Sequence, residues 1–391
     1  MTAQLVIGRA SAAFVQRGHP WVRVDRWTRG LAGLRPGQRV QLCDEHGRRL
    51  AEALADPESP ICARVVPEHW DAVSAARAAW QRRAPLHRDP QTDCYRLVHG
   101  EADALPGLRV DRYGACLIAT VSAGCIQPYL DAVLGALAEL ASPDLVVVHE
   151  QLADLRCAPV RSWRWPERVA VPEVQREGRE LGVSFLLRPA GGLNPGLYVD
   201  QRATRAWLRQ RARGARVLNL FAFTGAFSVS LLCAGAAAAT DVDIAASALQ
   251  RAADNAERNG VGARHRALRS DARTFCARSL ERYDLVIIDP PTAAQGERSW
   301  VARRDYPELL RLAWRLLEPG GLLLAVSNTQ GRPLPLADLV SQSCPGAQRL
   351  AGPELAEDVP LLPGFPEGRP YRLVAVRRPD AAVAPPASCA P

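Results

Sequence analysis

Arg216-Val-Leu-Asn-Leu-Phe-Ala-Phe-Thr-Gly-Ala-Phe227 reads as a strand, a glycine turn and the start of a helix. Val217, Leu218, Leu220 and Phe221 make the short apolar run of a parallel strand buried on both faces, Thr224-Gly225 breaks it, and Ala226 to Gly235 is helix-like. Such a turn cradles a cofactor. Gly225 there is expected to let the backbone approach a ligand closely, while the first free N–H groups of the helix face its anionic or polar groups.

A second apolar run ends in Thr240-Asp241-Val242-Asp243, placing Asp243 roughly 20 residues after the turn, where doubly wound folds use an acid to receive ribose hydroxyls. The glycines do not follow Gly-x-Gly-x-x-Gly, so a nucleoside fits better than a dinucleotide. A third run, Tyr283 to Ile288, delivers Asp289 at a strand end, and Pro290-Pro291-Thr292 stiffens the exit. Asp271 follows a short strand near Arg266 to Leu268.

Length and composition bound the rest. A chain of 391 residues exceeds one typical core, so two or three domains are expected. No run of about 18 apolar residues is free of charge, and the amino terminus lacks a signal pattern, so no membrane span and a cytoplasmic location are expected. Ten cysteines scattered without Cys-x-x-Cys pairs or nearby histidines at ligand spacing indicate neither a metal site nor a disulfide framework. The net charge of +8 comes from arginine alone, since the chain contains no lysine. Codon bias accounts for this as readily as function does, but a basic chain favours an acidic partner such as nucleic acid.

In chain order, residues 1 to about 70 read as a β-rich module: strands Arg39 to Leu42 and Arg49 to Ala55 flank the Asp44-Glu45-His46-Gly47 turn, and Ile61 to Val66 gives another. Arg17, Arg23, Arg26 and Arg29 near one end suit folded RNA, although a structural cap has the same composition. Asp71 to Arg83 is helical, and strands through Cys94 to Gly100 and Leu108 to Val121, a helix from Gln127 to Leu140 and a strand from Leu145 to His149 compose an α+β block. Arg161-Ser-Trp163-Arg-Trp165 can stack on unpaired bases or fill an interface. Arg202, Arg205, Arg209, Arg211, Arg213 and Arg216 crowd the approach to the cofactor strand as a phosphate track or a solvated helix face. Residues beyond 380 form a Pro/Ala-rich tail expected to be disordered.

Asn219 to Gly225, Asp243, Asp271 and Asp289-Pro290-Pro291 fall in the order of a class I S-adenosylmethionine-dependent methyltransferase. With His19-Pro20-Trp21, Tyr95-Arg-Leu-Val-His-Gly-Glu101, Leu105-Pro-Gly-Leu108, Val110-Asp-Arg-Tyr-Gly114, Tyr198-Val-Asp200-Gln201-Arg202 and Phe365-Pro366-Glu367-Gly368, nearly the whole chain resembles the PUA-domain 23S ribosomal RNA methyltransferases best known for making 5-methylcytosine. The resemblance implies an α/β chain: a PUA-like RNA-binding domain (1–72), a central α+β domain (73–175), a Rossmann-like class I methyltransferase domain (176–380) and the tail (381–391). It makes Asn219, Phe221, Thr224, Gly225, Asp243, Asp271, Asp289 and Gln201 the residues that hold S-adenosyl-L-methionine. Asp289, Pro290 and Asn328 become the catalytic set, and Arg202, Arg205, Arg209 and Trp21 are expected to contact RNA, with 23S rRNA as the partner. The oligomeric state is left open, a homodimer being one option.

The departure concerns chemistry. Methylation at cytosine C5 needs a thiolate that adds to C6 first, and in the cytosine enzymes that cysteine lies in a Ser-Cys-Ser segment after the fifth strand. Here the segment is Ser327-Asn328-Thr329, and Thr292 follows the two prolines. Asp-Pro-Pro-Thr with Ser-Asn looks like relatives that methylate a ring nitrogen of guanine, where a lone pair attacks the methyl directly. Two lysines common in the family are Asn194 and Pro307 here. The alternatives are a C5 enzyme with a non-standard cysteine and an RNA-binding assembly factor that has lost turnover.

Overall fold

The computed structural model describes residues 3–152, 160–294, 300–328 and 333–380; the expected tail from 381 lies outside them. The chain divides into two compact units, residues 1–202 with 355–369, and residues 203–354 with 370–391.

The first unit holds two five-stranded sheets. In the amino-terminal one, Ala3–Val6 pairs parallel with Arg39–Cys43, followed by Arg49–Ala55, Ile61–Val66 and Trp21–Arg23. Leu5, Val22, Val40, Leu42 and Ala53 are fully buried along it, which is the period-2 alternation of strands with one covered face. The second sheet runs Arg161–Trp165, Leu145–Glu150, Cys116–Val121, Leu108–Tyr113, Cys94–His99. Two helices pack on it, Ala72–Arg82 and Leu130–Ala141. The first starts where Asp71 accepts a hydrogen bond from Ser74 N at 2.7 Å, a cap contributing about 1 kcal/mol, and it buries Ala72, Ala76 and Ala79 at helical spacing.

Trp163 and Trp165 lean against this second core, and the indole of Trp165 donates to Asp131 at 3.0 Å. The Arg161-to-Trp165 stretch is therefore an edge strand whose indoles fill a packing surface. The expected boundary at 175 also shifts. The hairpin Arg176–Glu180/Val183–Leu187 stays with the first unit because Asp93 N donates to Arg179 O at 2.9 Å. Residues 355–369 return to it as well: Asp358 accepts from Arg96 N at 2.8 Å and from Arg202 at 2.5 Å, and its carbonyl takes the buried Arg83 at 2.8 Å.

Two histidines of this unit are held neutral. His99 donates through Nε2 to Gly368 O at 2.8 Å and receives Arg96 at Nδ1 at 3.2 Å, and burial, reinforced by Arg96, lowers its pKa to about 4. His149 is fully buried, and burial with Arg109 likewise brings it to about 4. An unfolded histidine titrates near 6.5, so below that pH the unfolded chain takes up protons that the folded unit refuses. Stability is full above about pH 6.5 and falls as the pH drops toward 4, by roughly 2 kcal/mol per histidine at pH 5. Urea midpoints of wild type at pH 7.5 and 5 should show this loss, and the His99→Gln/His149→Gln double variant should show a smaller one.

The second unit is a seven-stranded sheet: His265–Arg269, Ala238–Asp243, Arg216–Leu220, Tyr283–Ile288, Leu317–Ser327, Arg372–Arg377, Gln348–Leu350. In chain order this is 3-2-1-4-5-7-6, with the first five strands parallel and Arg372–Arg377 antiparallel. Val217, Leu218 and Leu220 are fully buried because the Arg216–Leu220 strand is paired on both sides. The strand order reverses on either side of it, which opens a crevice at the carboxyl ends. No helix among the described residues is long and apolar enough to cross a membrane.

Candidate active site

The loop after Arg216–Leu220 is unusual in its backbone. Phe221, Phe223 and Gly225 have φ of 60°, 51° and 70°, and a non-glycine residue in this left-handed region costs on the order of 1–3 kcal/mol unless its surroundings impose it. They do so here. Phe221 N and Ala222 N both donate to Val242 O at 2.9 and 3.2 Å, and Gly225 N donates to Ala222 O at 2.9 Å. Phe223 N donates to Asp243 Oδ2 at 2.9 Å, while Asp243 Oδ1 accepts from Ala245 N at 2.9 Å. The half-buried Asp243 thus ties the glycine loop to the end of the neighbouring strand.

Gly225 precedes helix Ala226–Cys233, and its role differs from the expectation. A Cβ there would lie 2.6 Å from Asp241 Oδ2 and 2.8 Å from Ala252 Cβ. That space is filled by protein, so the glycine serves internal packing. Beneath it sits a buried polar cluster that the sequence reading passed over. Asp241 Oδ1 accepts from Asn219 Nδ2 at 2.9 Å and from Ser228 Oγ, and Oδ2 accepts from His265 Nε2 at 2.8 Å. Asn219, expected to touch cofactor, is buried and spends its amide on Asp241 and on Ser228 Oγ at 3.2 Å. Thr224 is also buried, and its carbonyl accepts from Asn255 at 3.0 Å.

Asp271 caps helix Ala272–Arg278, accepting from Thr274 N at 3.0 Å and Thr274 Oγ1 at 3.1 Å through Oδ1. Asp289 follows the Tyr283–Ile288 strand, half-buried beside a buried Pro290. Two aromatic residues fix this strand end, and sequence spacing gave no sign of either role. The hydroxyl of the fully buried Tyr306 is shared between Ile288 O at 3.1 Å and Val326 O at 2.7 Å, clamping the ends of two adjacent strands together. Burial, reinforced by Asp289, pushes the Tyr306 phenol up, so it stays a donor. Trp300 donates to Pro291 O at 2.8 Å and packs 4.9 Å from the Phe221 ring. Thr292 Oγ1 donates to Asn328 Oδ1 at 3.1 Å on the exposed rim; Thr329 lies outside the described residues.

The described thiols of this unit are not nucleophiles in waiting. Cys276 and Cys344 belong to its apolar core, and burial pushes each up to about 12. Cys233 ends the Ala226–Cys233 helix, where burial also raises its thiol. Cys157 and Cys389 lie outside the described residues.

Four of the six arginines of the expected track are taken up within the protein. Arg205 is buried and stacks over Phe227 at 5.6 Å, Arg202 is bound to Asp358, Arg209 donates to Ser230 O at 3.0 Å, and Arg216 is held by Asp284 and Glu318. One face of the Arg202–Arg209 helix is core-facing, so spacing along the sequence overstated the charge it shows to solvent. Trp21 is likewise occupied: its indole donates to Glu101 at 2.7 Å and packs 4.8 Å from Phe365. The exposed aromatics of the amino-terminal domain are Phe14 and Trp27, with Arg17 and Arg26 each 4.8 Å over their rings. Gln201 is buried in the short turn Val199–Gln201 of the first unit.

Within the second unit, acids thus stand at or just after the carboxyl ends of the second, third and fourth strands, around a loop held open by left-handed residues. Such a set suits a nucleoside carrying a cationic group. Comparison with known proteins agrees. Residues 135–364 match the S-adenosylmethionine-dependent methyltransferase family and residues 5–67 the PUA-like domain. Ribosomal RNA large subunit methyltransferase I from Erwinia tasmaniensis is 31% identical over 389 residues, covering 94% of this chain and 97% of its own length. The Cronobacter sakazakii protein of the same name is 31% identical with the same coverage. Among solved structures, SMU.776, described as a methyltransferase complexed with SAH, superposes with a TM-score of 0.81 at 21% identity over 96% of this chain and 100% of its own. From the PUA-like sheet at its amino terminus to the acid-lined crevice of its last domain, the chain belongs to the S-adenosylmethionine-dependent methyltransferase family that includes ribosomal RNA large subunit methyltransferase I.

Proposed function

We propose that this enzyme methylates a base of large-subunit ribosomal RNA in the cytoplasm, by direct transfer to a ring nitrogen. The relatives' names supply the RNA, and the exposed Trp27 and Phe14 with their arginines support a contact with unpaired bases. We also keep the division into an amino-terminal domain at 1–72, a central domain and a methyltransferase domain as our reading of the sheets, with the boundary expected at 175 moved past the hairpin that ends at Leu187 and with residues 355–369 returned to the first unit.

The residues fit S-adenosylmethionine. Asp243 can receive the ribose hydroxyls, Asp271 the adenine amino group, and the loop Phe221–Gly225 the amino-acid end. Bound there, the cofactor supplies an electrophilic methyl on a sulfonium. The chain's own work is then positioning: Asp289, the Pro290 carbonyl and Asn328 hold the base edge, and the Tyr306 clamp keeps Asp289 and Ser327-Asn328 in register. A ring nitrogen brings its own lone pair, so orientation and exclusion of water suffice.

The observation that carries the nitrogen reading is the Thr292–Asn328 hydrogen bond of 3.1 Å at the two positions where a thiol belongs. Burial pushes the thiols of Cys276 and Cys344 up to about 12, so both stay protonated at neutral pH and neither supplies a thiolate. Cys276→Ala and Cys344→Ala should each keep methylation within about twofold of wild type, since neither thiol takes part. The test pairs these variants with mass spectrometry of nucleosides from rRNA methylated by the purified protein. A label in 5-methylcytosine, together with a hundredfold loss in a folded cysteine variant, would return the reaction to the covalent route.

A further inference from the structure

At the amino-terminal ends of the parallel strands, opposite the crevice, the second unit carries an open cleft of about 410 Å³. Arg211, Arg213 and Arg377 are among the residues that line it, with Gly214, Gly320 and Gly321. Arg211 sits over Trp207, its Cζ 3.8 Å from the ring centroid, and donates to the Trp207 carbonyl at 2.7 Å, so its guanidinium is held in place before any ligand arrives. Arg213 and Arg377 are exposed, and neither has an acidic partner among the described residues. Of the acids nearby, Asp284 and Glu318 are held by Arg216 at 3.2 Å and 2.8 Å, and the exposed Asp380 beside Gly320 offsets one of the remaining arginines. The cleft keeps a surplus of guanidinium.

We infer that this cleft is a second RNA contact, binding the phosphodiester backbone away from the methylated base. The inference rests on RNA being the substrate. Arginine forks match phosphate oxygens, and an open cleft admits a continuous strand. A linear polyanion also gains from counterion release, which an isolated phosphate does not.

The experiment uses full-length protein and the rRNA fragment that it methylates. Arg213→Gln/Arg377→Gln should weaken RNA binding about tenfold at moderate salt and make the slope of log affinity against log salt shallower by about 1.4, as expected for two single-strand phosphates. Arg213→Glu/Arg377→Glu should weaken it further. S-adenosylmethionine affinity and kcat at saturating RNA should stay at wild-type levels while KM for RNA rises. Equal RNA affinity and salt slope in wild type and both variants overturns the inference while leaving the substrate reading intact. Thermal stabilisation by inorganic phosphate, lost in variants whose RNA affinity is unchanged, would assign the cleft to a small anion and also overturn it. If the wild-type protein binds no rRNA, both readings fall together.

Discussion

Asp289→Ala should lower kcat for methyl transfer by about 100- to 1000-fold while S-adenosylmethionine affinity falls less than about tenfold. A charge-assisted hydrogen bond to the base that strengthens at the transition state is worth roughly 3–4 kcal/mol, and each 1.36 kcal/mol is tenfold in rate. The geometry gives Asp289 this weight because its backbone is over-determined. Tyr306 clamps Ile288 O and Val326 O, and Trp300 holds Pro291 O, so the carboxylate is presented on a rigid strand end. Tyr306→Phe provides the graded control: it keeps the buried ring and removes only the shared hydroxyl. It should cost about tenfold in kcat with little change in cofactor affinity, because the strand ends loosen while Asp243 and Asp271 are untouched. Full kcat in Asp289→Ala would remove Asp289 from the reaction.

What could be read from the sequence was local and repetitive. Four apolar residues before a glycine, and acids closing two further apolar runs, identify buried parallel strands and their ends, and these appear at Arg216–Leu220, Ala238–Asp243 and Tyr283–Ile288. What escaped depends on partners distant in the chain. Tyr306 and Trp300 act on strand ends through single hydrogen bonds that leave no periodic trace. Asp241, adjacent in pattern to Asp243, is buried under Asn219, Ser228 and His265 while Asp243 caps the loop, and alternation along the strand alone does not say which of the two carboxylates serves a ligand. Residues 355–369 return to the first unit through Asp358, a pairing invisible without the fold. The arginine-rich stretch misled because a helix buries one face whatever its density of charge.

Gly225→Ala should destabilise the ligand-free enzyme and weaken cofactor binding together. A glycine kept only so that a ligand can approach would leave the ligand-free protein unaffected by a methyl group. Here the methyl meets Asp241 Oδ2 at 2.6 Å and Ala252 Cβ at 2.8 Å with φ at 70°, so both overpacking and a left-handed alanine are imposed before any ligand binds. These cost about 1–3 and 1–2 kcal/mol respectively, a combined loss of roughly 2–5 kcal/mol that should lower Tm by about 5–15 °C in a domain of this size. Asp241 cannot swing away cheaply, because Asn219, Ser228 and His265 all donate to it. The strain passes instead into the loop Phe221–Gly225, whose Phe223 N–H is bonded to Asp243, and S-adenosylmethionine affinity should fall at least tenfold. Adding Ala252→Gly removes the 2.8 Å contact but not the 2.6 Å one, so it should restore part of the lost Tm. Calorimetry of the ligand-free variants separates the two roles: an unchanged Tm for Gly225→Ala, with cofactor binding lost, would mean that the glycine faces the ligand after all.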